Sequence, residues 1–145
     1  MNPPIAPIAG ADGPGIIDRL ALVADQIVQE FGYDDDVDEE FRGAVEERIG
    51  APVEDEDYTG EIDAALLWWR DGDGDLTDAL VDLVGLLGDG GYVALLTPRH
   101  TDVAVEASDI EEAASTAGLH ASGVTNVGED WRMVKLAAAR TSARR

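Results

Sequence analysis

Residues Glu61–Pro98 read EIDAALLWWRDGDGDLTDALVDLVGLLGDGGYVALLTP, and they predict a strand, a helix and a second strand. Both strand candidates are short, almost continuously apolar and bounded by Gly, Asp or Pro, which is typical of strands covered on both faces. Such a unit forms a right-handed crossover in a parallel sheet. The predicted segments are a strand at Ile62–Trp69, a loop at Asp71–Asp75, a helix at Leu76–Leu87, a glycine stop at Gly88–Gly91 and a strand at Tyr92–Thr97.

The helix of this unit carries its own start and stop signals. Asp75 is placed to cap the helix through its carboxylate, and Gly88 is placed to end it in a left-handed conformation. The residues between them form one apolar stripe, which consists of Leu76, Leu80, Leu83, Val84 and Leu87. We therefore expect this helix to cover the centre of the sheet.

A strand and a helix are also predicted before this unit. Gln26–Phe31 is a strand candidate with Ile27, Val28 and Phe31 as its apolar residues, and it ends at Gly32. Asp36 can cap the next helix, with Glu39 in the position that completes a capping box. That helix is expected to bury one stripe and to stop at a glycine; the residues are Phe41, Val45, Ile49 and Gly50.

After the unit we expect a third helix and a hairpin. The helix is predicted from Ser108, a capping-box serine, to Gly118. The strand candidates His120–Val127 and Trp131–Leu136 are joined by three residues, and so short a connection predicts an antiparallel pair.

The predicted fold is an α/β, doubly wound, Rossmann-like sheet that is mostly parallel and ends in an antiparallel hairpin. Residues 1–17 are rich in Pro and Gly, which predicts a disordered or extended leader. Residues 18–137 are expected to form a single α/β domain, and residues 138–145 a basic tail. A chain of 145 residues buries enough surface to need neither a disulfide nor a metal.

The amino-acid composition narrows the range of possible locations and partners. The chain has no Cys, no apolar run long enough to span a bilayer and no basic region followed by an apolar one at its N-terminus, so we expect a cytoplasmic protein. Its 31 acidic and 10 basic side chains give a net charge of −21, which disfavours nucleic acid and membrane surfaces. Solubility, a salt-adapted cytoplasm and a basic protein partner all explain this imbalance.

Seven short motifs carry a resemblance to a family of short acidic actinobacterial proteins, catalogued as domain of unknown function 3052. The likeness covers about Asp18 to Ala137, and the run Leu-Leu-Trp-Trp-Arg-Asp is its most distinctive part. It implies a lineage but no activity. The motifs are FGYDDDVD at 31–38, ALLWWRD at 65–71, DLTDALVD at 75–82, LLTP at 95–98, SDI at 108–110, AGL at 117–119 and EDW at 129–131.

From Ile62 onward the chain also resembles the last half of class I methyltransferases that use S-adenosylmethionine. The shared features are a strand, a helix ending before a Gly-Gly turn, the run YVALLTP at 92–98, a capped helix ending in AGL and a terminal hairpin. These motifs are structural, so the resemblance implies the fold. In that family the cofactor is held by the turn after the first strand, where an acid precedes three alternating glycines.

At the matching turn this chain has Glu30, Gly32, Asp34 and Asp36. The acid and the first glycine fit the pattern, but aspartates stand in place of both later glycines. Their side chains fill the space in which the backbone would contact the cofactor. Each aspartate carboxylate would also repel the carboxylate of the cofactor, with an energy of about 3 kcal/mol at a separation of about 5 Å and an effective dielectric constant of about 20. The chain is also too short for the full set of strands before Ile62, one of which presents the ribose-holding acid in that family. We therefore predict a shortened relative with no cofactor.

Three further patterns are explained by structure more simply than by a metal or catalytic site. Asp71, Asp73 and Asp75 match the start of a calcium loop, but Leu76 stands where that loop requires glycine, so we predict a solvated turn and no metal site. The two histidines, His100 and His120, stand alone and suggest no catalytic triad. Trp68 and Trp69 alternate in a strand, so we expect one ring on each face of the sheet as core packing.

In sheets of this type, ligands bind beyond the carboxyl ends of the strands. We therefore predict a binding rim at these ends, by analogy with the fold alone. The rim residues are Gly32, Tyr33, Asp34, Trp69, Arg70, Asp71, Pro98, Arg99 and His100.

Two hypotheses about function remain. In the first, the protein is a non-catalytic binding or regulatory protein on a shortened methyltransferase-like scaffold that acts through a protein partner. In the second, it is an S-adenosylmethionine-dependent methyltransferase, or another small-molecule enzyme, completed by a partner subunit. The sequence leaves the oligomeric state open.

Overall fold

The computed structural model of the protein describes residues 14–70, 72–99 and 106–138. Residues 1–13 of the predicted leader, Asp71, His100 and residues 139–145 of the predicted tail lie outside these ranges. None of the described helices is long and apolar enough to cross a membrane. The elements are α1 (Pro14–Leu20), β1 (Val28–Phe31), α2 (Glu39–Ile49), β2 (Ile62–Trp68), α3 (Leu76–Val84), β3 (Leu87–Pro98), α4 (Ala107–Thr116), β4 (Leu119–Val127) and β5 (Trp131–Ala138).

The strands form one five-stranded sheet in the order β1-β2-β3-β5-β4. β1 and β3 run parallel to β2 on either side of it, and Glu30 pairs with Leu66 while Leu66 pairs with Ala94. β5 lies antiparallel between β3 and β4. The predicted doubly wound α/β sheet, with its parallel crossovers and its antiparallel hairpin, is therefore confirmed.

Helices cover both faces of the sheet, because the inner strands carry apolar side chains on both faces. On one face, α1 and α2 pack over a cluster that includes Val28, Leu66 and Trp68. On the other face, α3 and α4 pack over Leu67, Val93 and Leu95. Trp68 belongs to the first cluster and Trp69 packs against the second, as the alternation along the strand predicts.

The start of α2 differs from the sequence prediction. Its N-cap is Asp38, whose carboxylate accepts from the backbone N–H of Phe41 at 2.9 Å, and not Asp36. The predicted stripe of Phe41, Val45 and Ile49 is buried, and Gly50 ends the helix in the left-handed conformation at φ +79°. Asp36 therefore does not cap the helix, and its carboxylate accepts hydrogen bonds from Arg70 instead.

The later helices also differ at their ends. Asp75 caps α3 as predicted, but α3 ends at Val84, and Leu87 and Gly88 belong to β3 because Leu87 pairs with Ile62. Gly88 is therefore not a helix stop. The N-cap of α4 is Glu106, without a side-chain hydrogen bond, so the capping box predicted at Ser108 does not form.

α1 begins inside the segment 1–17 that the sequence assigns to the leader. Ile17 and Leu20 are buried in the first core cluster. The phenol of Tyr92 donates to the carbonyl oxygen of Leu20 at 2.7 Å, and burial raises the pKa of that phenol, so it stays a donor. The ammonium of Lys135 lies 4.5 Å from the centre of the Tyr92 ring and 3.4 Å from the carbonyl oxygen of Arg19. These contacts make α1 part of the domain.

Replacing Leu80 with Asp is expected to unfold the domain, because Leu80 lies on the face of α3 that packs on the sheet and is fully buried. An unpaired charge there costs several kcal/mol, against a total stability of about 5–15 kcal/mol. The matched control is Val81→Asp, one residue along the same helix and 49% exposed, which should leave the urea midpoint nearly unchanged. A cooperative transition of Leu80→Asp near the wild-type midpoint would contradict the packing described above.

Candidate functional site

The turn after β1 approaches the end of β2 closely. Gly32 has φ +78°, and a Cβ there would collide with the backbone carbonyl oxygen of Trp68. The N–H of Gly32 donates to a carboxylate oxygen of Glu56 at 2.9 Å. Only glycine suits this position, because the left-handed backbone and the close contact both exclude a side chain.

The guanidinium of Arg70 holds this turn against the end of β2. It donates to the carbonyl oxygen of Gly32 at 2.9 Å and to that of Trp68 at 3.2 Å. It also makes a two-pronged ion pair with Asp36, at 3.0 and 2.5 Å. These hydrogen bonds lower the pKa of Asp36 and raise that of Arg70. Planar two-pronged pairs of this kind fix geometry as well as charge.

The hairpin turn joins the same network. The indole N–H of Trp131 donates to the carbonyl oxygen of Asp36 at 2.8 Å, and its ring lies 5.3 Å from the Arg70 guanidinium. Arg99, which follows β3, donates from its side chain to the carbonyl oxygen of Gly128 at 2.6 Å. The carboxyl ends of β1, β2 and β3 are therefore linked to each other and to the hairpin by the protein's own side chains.

A buried ion pair lies beneath the turn. Glu30, 5% exposed, accepts two hydrogen bonds from Arg42 of α2, at 2.6 and 2.8 Å. It accepts a third from the indole N–H of Trp68 at 2.8 Å. The bond to Glu30 is the main reason that the pKa of Arg42 is raised. Glu30 is thus fully engaged within the protein.

Tyr33 extends this cluster to the surface. Its ring lies 4.7 Å from the Arg42 guanidinium, and its hydroxyl donates to Glu39 at 2.8 Å. That hydrogen bond raises the pKa of Tyr33 and lowers that of Glu39. Tyr33 is therefore held beside α2, with 51% of its surface exposed.

The structure divides the predicted rim residues. Gly32 and Arg70 are in direct contact, Asp34 is exposed, and Arg99 contacts the hairpin turn. Trp69 faces the opposite side of the sheet, where it lines an open groove of about 460 Å³ between α3 and α4. Pro98 pairs with Trp131, and Asp71 and His100 lie outside the described residues. A ligand at this rim stays a prediction.

Sequence reasoning missed the partners that close the site. Asp36 was assigned to a helix cap, and Arg42, Trp131 and Glu56 were given no role in the site. The Arg70–Asp36 pair joins positions 34 residues apart, and the Arg42–Glu30 pair positions 12 apart. The only available signal was the scarcity of basic residues, which makes each arginine in so acidic a chain a candidate for pairing.

As the length of the chain predicts, no full strand lies between β1 and β2 among the described residues. Residues around Glu54 run parallel to β1: Glu54 forms a bridge with Gln29, and its N–H donates to the carbonyl oxygen of Val28 at 2.8 Å. This segment brings the Glu56 carboxylate to the Gly32 turn. A short strand-like segment with an acid therefore does lie beside β1, although it is too brief to form a full strand.

The aspartates after β2 act as turn and cap acceptors. Asp73 accepts from the N–H of Arg70 at 2.9 Å, and Asp75 from that of Asp78 at 3.2 Å. Among the described residues, no three His, Asp or Glu side chains are placed together to hold a metal ion.

The fold is similar to that of several solved methyltransferases. A putative methyltransferase from Thermoplasma acidophilum is similar with a TM-score of 0.58 and 9% identity, over 83% of this chain and 71% of that one. A methyltransferase from Pyrococcus furiosus is similar with a TM-score of 0.54 and 16% identity, over 85% and 80%. The magnesium protoporphyrin IX methyltransferase of Synechocystis, with bound S-adenosylmethionine, is similar with a TM-score of 0.52 and 12% identity, over 86% of this chain and 76% of that one.

The chain belongs to the family described as Protein of unknown function (DUF3052), whose model matches residues 17–140. It is 43% identical over 119 residues to an uncharacterized protein of Mycobacterium bovis, across 81% of this chain and 75% of the relative. Uncharacterized proteins of Mycobacterium tuberculosis match to the same extent. Both resemblances predicted from the sequence are thus confirmed.

Replacing Arg42 with Met is expected to destabilise the protein by about 3 kcal/mol, because it leaves the buried Glu30 carboxylate without its cation. The control is Arg48→Met. The side chains of Arg48 and Asp18 are 35% and 69% exposed, so loss of this ion pair should lower the free energy of unfolding by less than about 1 kcal/mol. Urea denaturation measures both. Equal losses for the two variants would mean that burial does not strengthen the Glu30 pair.

Replacing Asp36 with Asn tests the pair with Arg70 through its pH dependence. The folded pKa of Asp36 is lowered by Arg70, so its stabilising contribution is present above the ordinary carboxyl pKa of about 4 and is lost as the pH falls through the lowered pKa. Asp36 is 56% exposed, so screening limits the loss at neutral pH to about 1 kcal/mol. The gap in unfolding free energy between wild type and variant should close in acid. A gap independent of pH would show that the pair is not its source.

Proposed function

We infer that the protein is a non-catalytic binding or regulatory protein on a shortened methyltransferase-like scaffold, and that it acts through contacts with a protein partner. The observation that carries this inference is the closed turn after β1. Arg70 binds the carbonyl oxygen of Gly32 and the carboxylate of Asp36. The place where this fold class meets its cofactor is filled by an internal ion pair. The cytoplasmic location expected from the composition is part of this proposal.

The residues of the turn do not fit S-adenosylmethionine. The cofactor carries a carboxylate, and the turn offers it the carboxylates of Asp34 and Asp36 instead of glycine backbone. Glu30, the acid of the pattern, already accepts three hydrogen bonds from Arg42 and Trp68. Binding would require the Arg70 pair to break and two side chains to move.

A protein partner with a basic surface suits the exposed carboxylates. The turn after β1 and the segment next to it bring together Asp34, Asp35, Glu54, Asp55, Glu56 and Asp57. A concentrated negative field of this kind speeds association with a basic surface and repels phosphate backbones. This supports the expectation of a protein partner over nucleic acid.

The enzyme alternative rests on one specific observation. Glu56 lies beside the Gly32 turn, where its carboxylate accepts a hydrogen bond from the N–H of Gly32 at 2.9 Å. A partner subunit that displaced Arg70 would leave Gly32 and Glu56 facing the opened space. The alternative is therefore an S-adenosylmethionine-dependent enzyme completed by a partner.

Titration with S-adenosylmethionine separates the two proposals. A ligand present at about a hundred times its dissociation constant adds about 2.7 kcal/mol of stability, which a thermal melt detects easily. We expect no shift of the melting temperature and no calorimetric binding by the wild-type protein at millimolar cofactor. Saturable binding in the micromolar range would replace the first proposal with the enzyme alternative.

The matched variant for this titration is Asp34→Gly with Asp36→Gly, which restores both glycines and frees Arg70. Binding by the variant alone would show that these side chains block the site. A pull-down from native lysate tests the protein-contact part, with Asp34→Asn and Asp35→Asn as the comparison. A stoichiometric protein retained by wild type and lost by the neutralised variant is expected; equal recovery by both would count against contact through this turn.

A further inference from the structure

The outer edge of the sheet at β4 is exposed and carries no charge. β4 is the last strand of the sheet, and no described residue pairs with its outer edge. His120, Ala121, Ser122, Gly123 and Asn126 are exposed, and Val124 is 57% exposed. Edge strands of soluble proteins are usually protected by charged side chains, by Pro, by a β-bulge or by a covering segment. β4 has neither a charged residue nor a Pro.

The lack of charge extends beyond the strand. Residues 113–128 contain no Asp, Glu, Lys or Arg, in a chain whose net charge is −21. In the rest of the hairpin, Glu129 and Asp130 are balanced by Arg132 and Lys135. The hairpin itself is therefore close to neutral, whereas α4, which leads into it, carries acidic residues that include Glu111 and Glu112.

A bulge limits which part of the edge can pair. The register between β4 and β5 shifts between Ala121 and Val124, and the Arg19 side chain lies next to Gly123 inside that bulge. Glu111 of α4 lines a groove with His120 at the amino end of β4. The segment Val124–Val127 is thus the regular, uncharged part of the edge.

The acidic end of the sheet is too distant to prevent two copies from meeting here. β1 lies four strand spacings from β4, which is roughly 19 Å at about 4.8 Å per spacing. The Debye length at physiological salt is about 8 Å, so carboxylates near β1 are largely screened at β4. At low salt this screening is lost, and two bodies of charge −21 repel.

We propose that β4 pairs with β4 of a second copy of this chain, antiparallel and about a two-fold axis at Val124–Val127, so that two sheets join into one. A two-fold pair places the same surface on both sides, and the neutral edge is compatible with itself. A basic partner finds no carboxylates along this strand, and an acidic partner is repelled by the molecule as a whole. The proposal does not depend on the proposed function, because a dimer of this kind leaves the turn after β1 free.

The test is the mass of the intact protein in solution, measured by light scattering and sedimentation at high micromolar concentration over a series of salt concentrations. We expect a dimer at physiological and high salt that dissociates at low salt, because salt screens the repulsion between two polyanions. Contacts held together by opposite charges would show the reverse dependence. A monomer at every salt concentration, or a dimer that weakens as salt rises, would overturn the proposal.

Val124→Lys places a charge at one end of the proposed pairing segment, and the two-fold axis repeats that charge at the other end. Val23→Lys is its matched control, with the same substitution at the same 57% exposure outside the sheet. Val124→Lys should be monomeric under conditions in which wild type and Val23→Lys are dimers, with its far-UV circular dichroism unchanged. A Val124→Lys protein that stays dimeric, or equal dissociation of both variants, would refute pairing at β4. If Val124→Lys proves misfolded, the second variant is the double change Val124→Thr with Asn126→Lys, because Thr keeps the β-branched shape of Val. A double variant that stays dimeric would refute the proposal equally.

Discussion

The buried carboxylate of Glu30 is the constraint on which the arrangement around the first strand depends. A charge that is only 5% exposed must be paired, and its partners come from the next helix, through Arg42, and from the neighbouring strand, through Trp68. Trp68 in turn packs edge-on against Phe41 and Trp131. One carboxylate thereby sets the position of α2 and of β2, and through Trp131 it also sets the position of the hairpin.

The Arg70 pair builds on that base. Because β1 and β2 are held in place, the turn after β1 comes within reach of the Arg70 side chain, and the two-pronged bond to Asp36 fixes the turn. The protein's own side chains thus close this turn from within. A fold similar to that of methyltransferases does not by itself establish methyltransferase activity, because function depends on the side chains at the site.

The sequence predicted those features that repeat along the chain. Continuous apolar runs gave the strands, and the stripes Phe41–Val45–Ile49 and Leu76–Leu80–Leu83 gave the helix faces, because burial on one side imposes a period. The caps were harder to predict, since Asp36 and Asp38 are both plausible and the choice depends on Arg70, far away in the sequence. Leu87 has the spacing of a helix residue but pairs with Ile62. The ion pairs of the site have no period at all, so no local pattern reveals them.

The neutral strand at one end of the sheet and the carboxylates at the other give the molecule a permanent electric dipole in the plane of the sheet. In the field of a basic surface, a dipole experiences a torque before any atoms touch, so the β1 end turns toward that surface during approach. The same rotation leaves the β4 end facing solvent. The proposed encounter with a basic partner and the proposed self-association would thus use opposite ends of one sheet, and neither would need to displace the other.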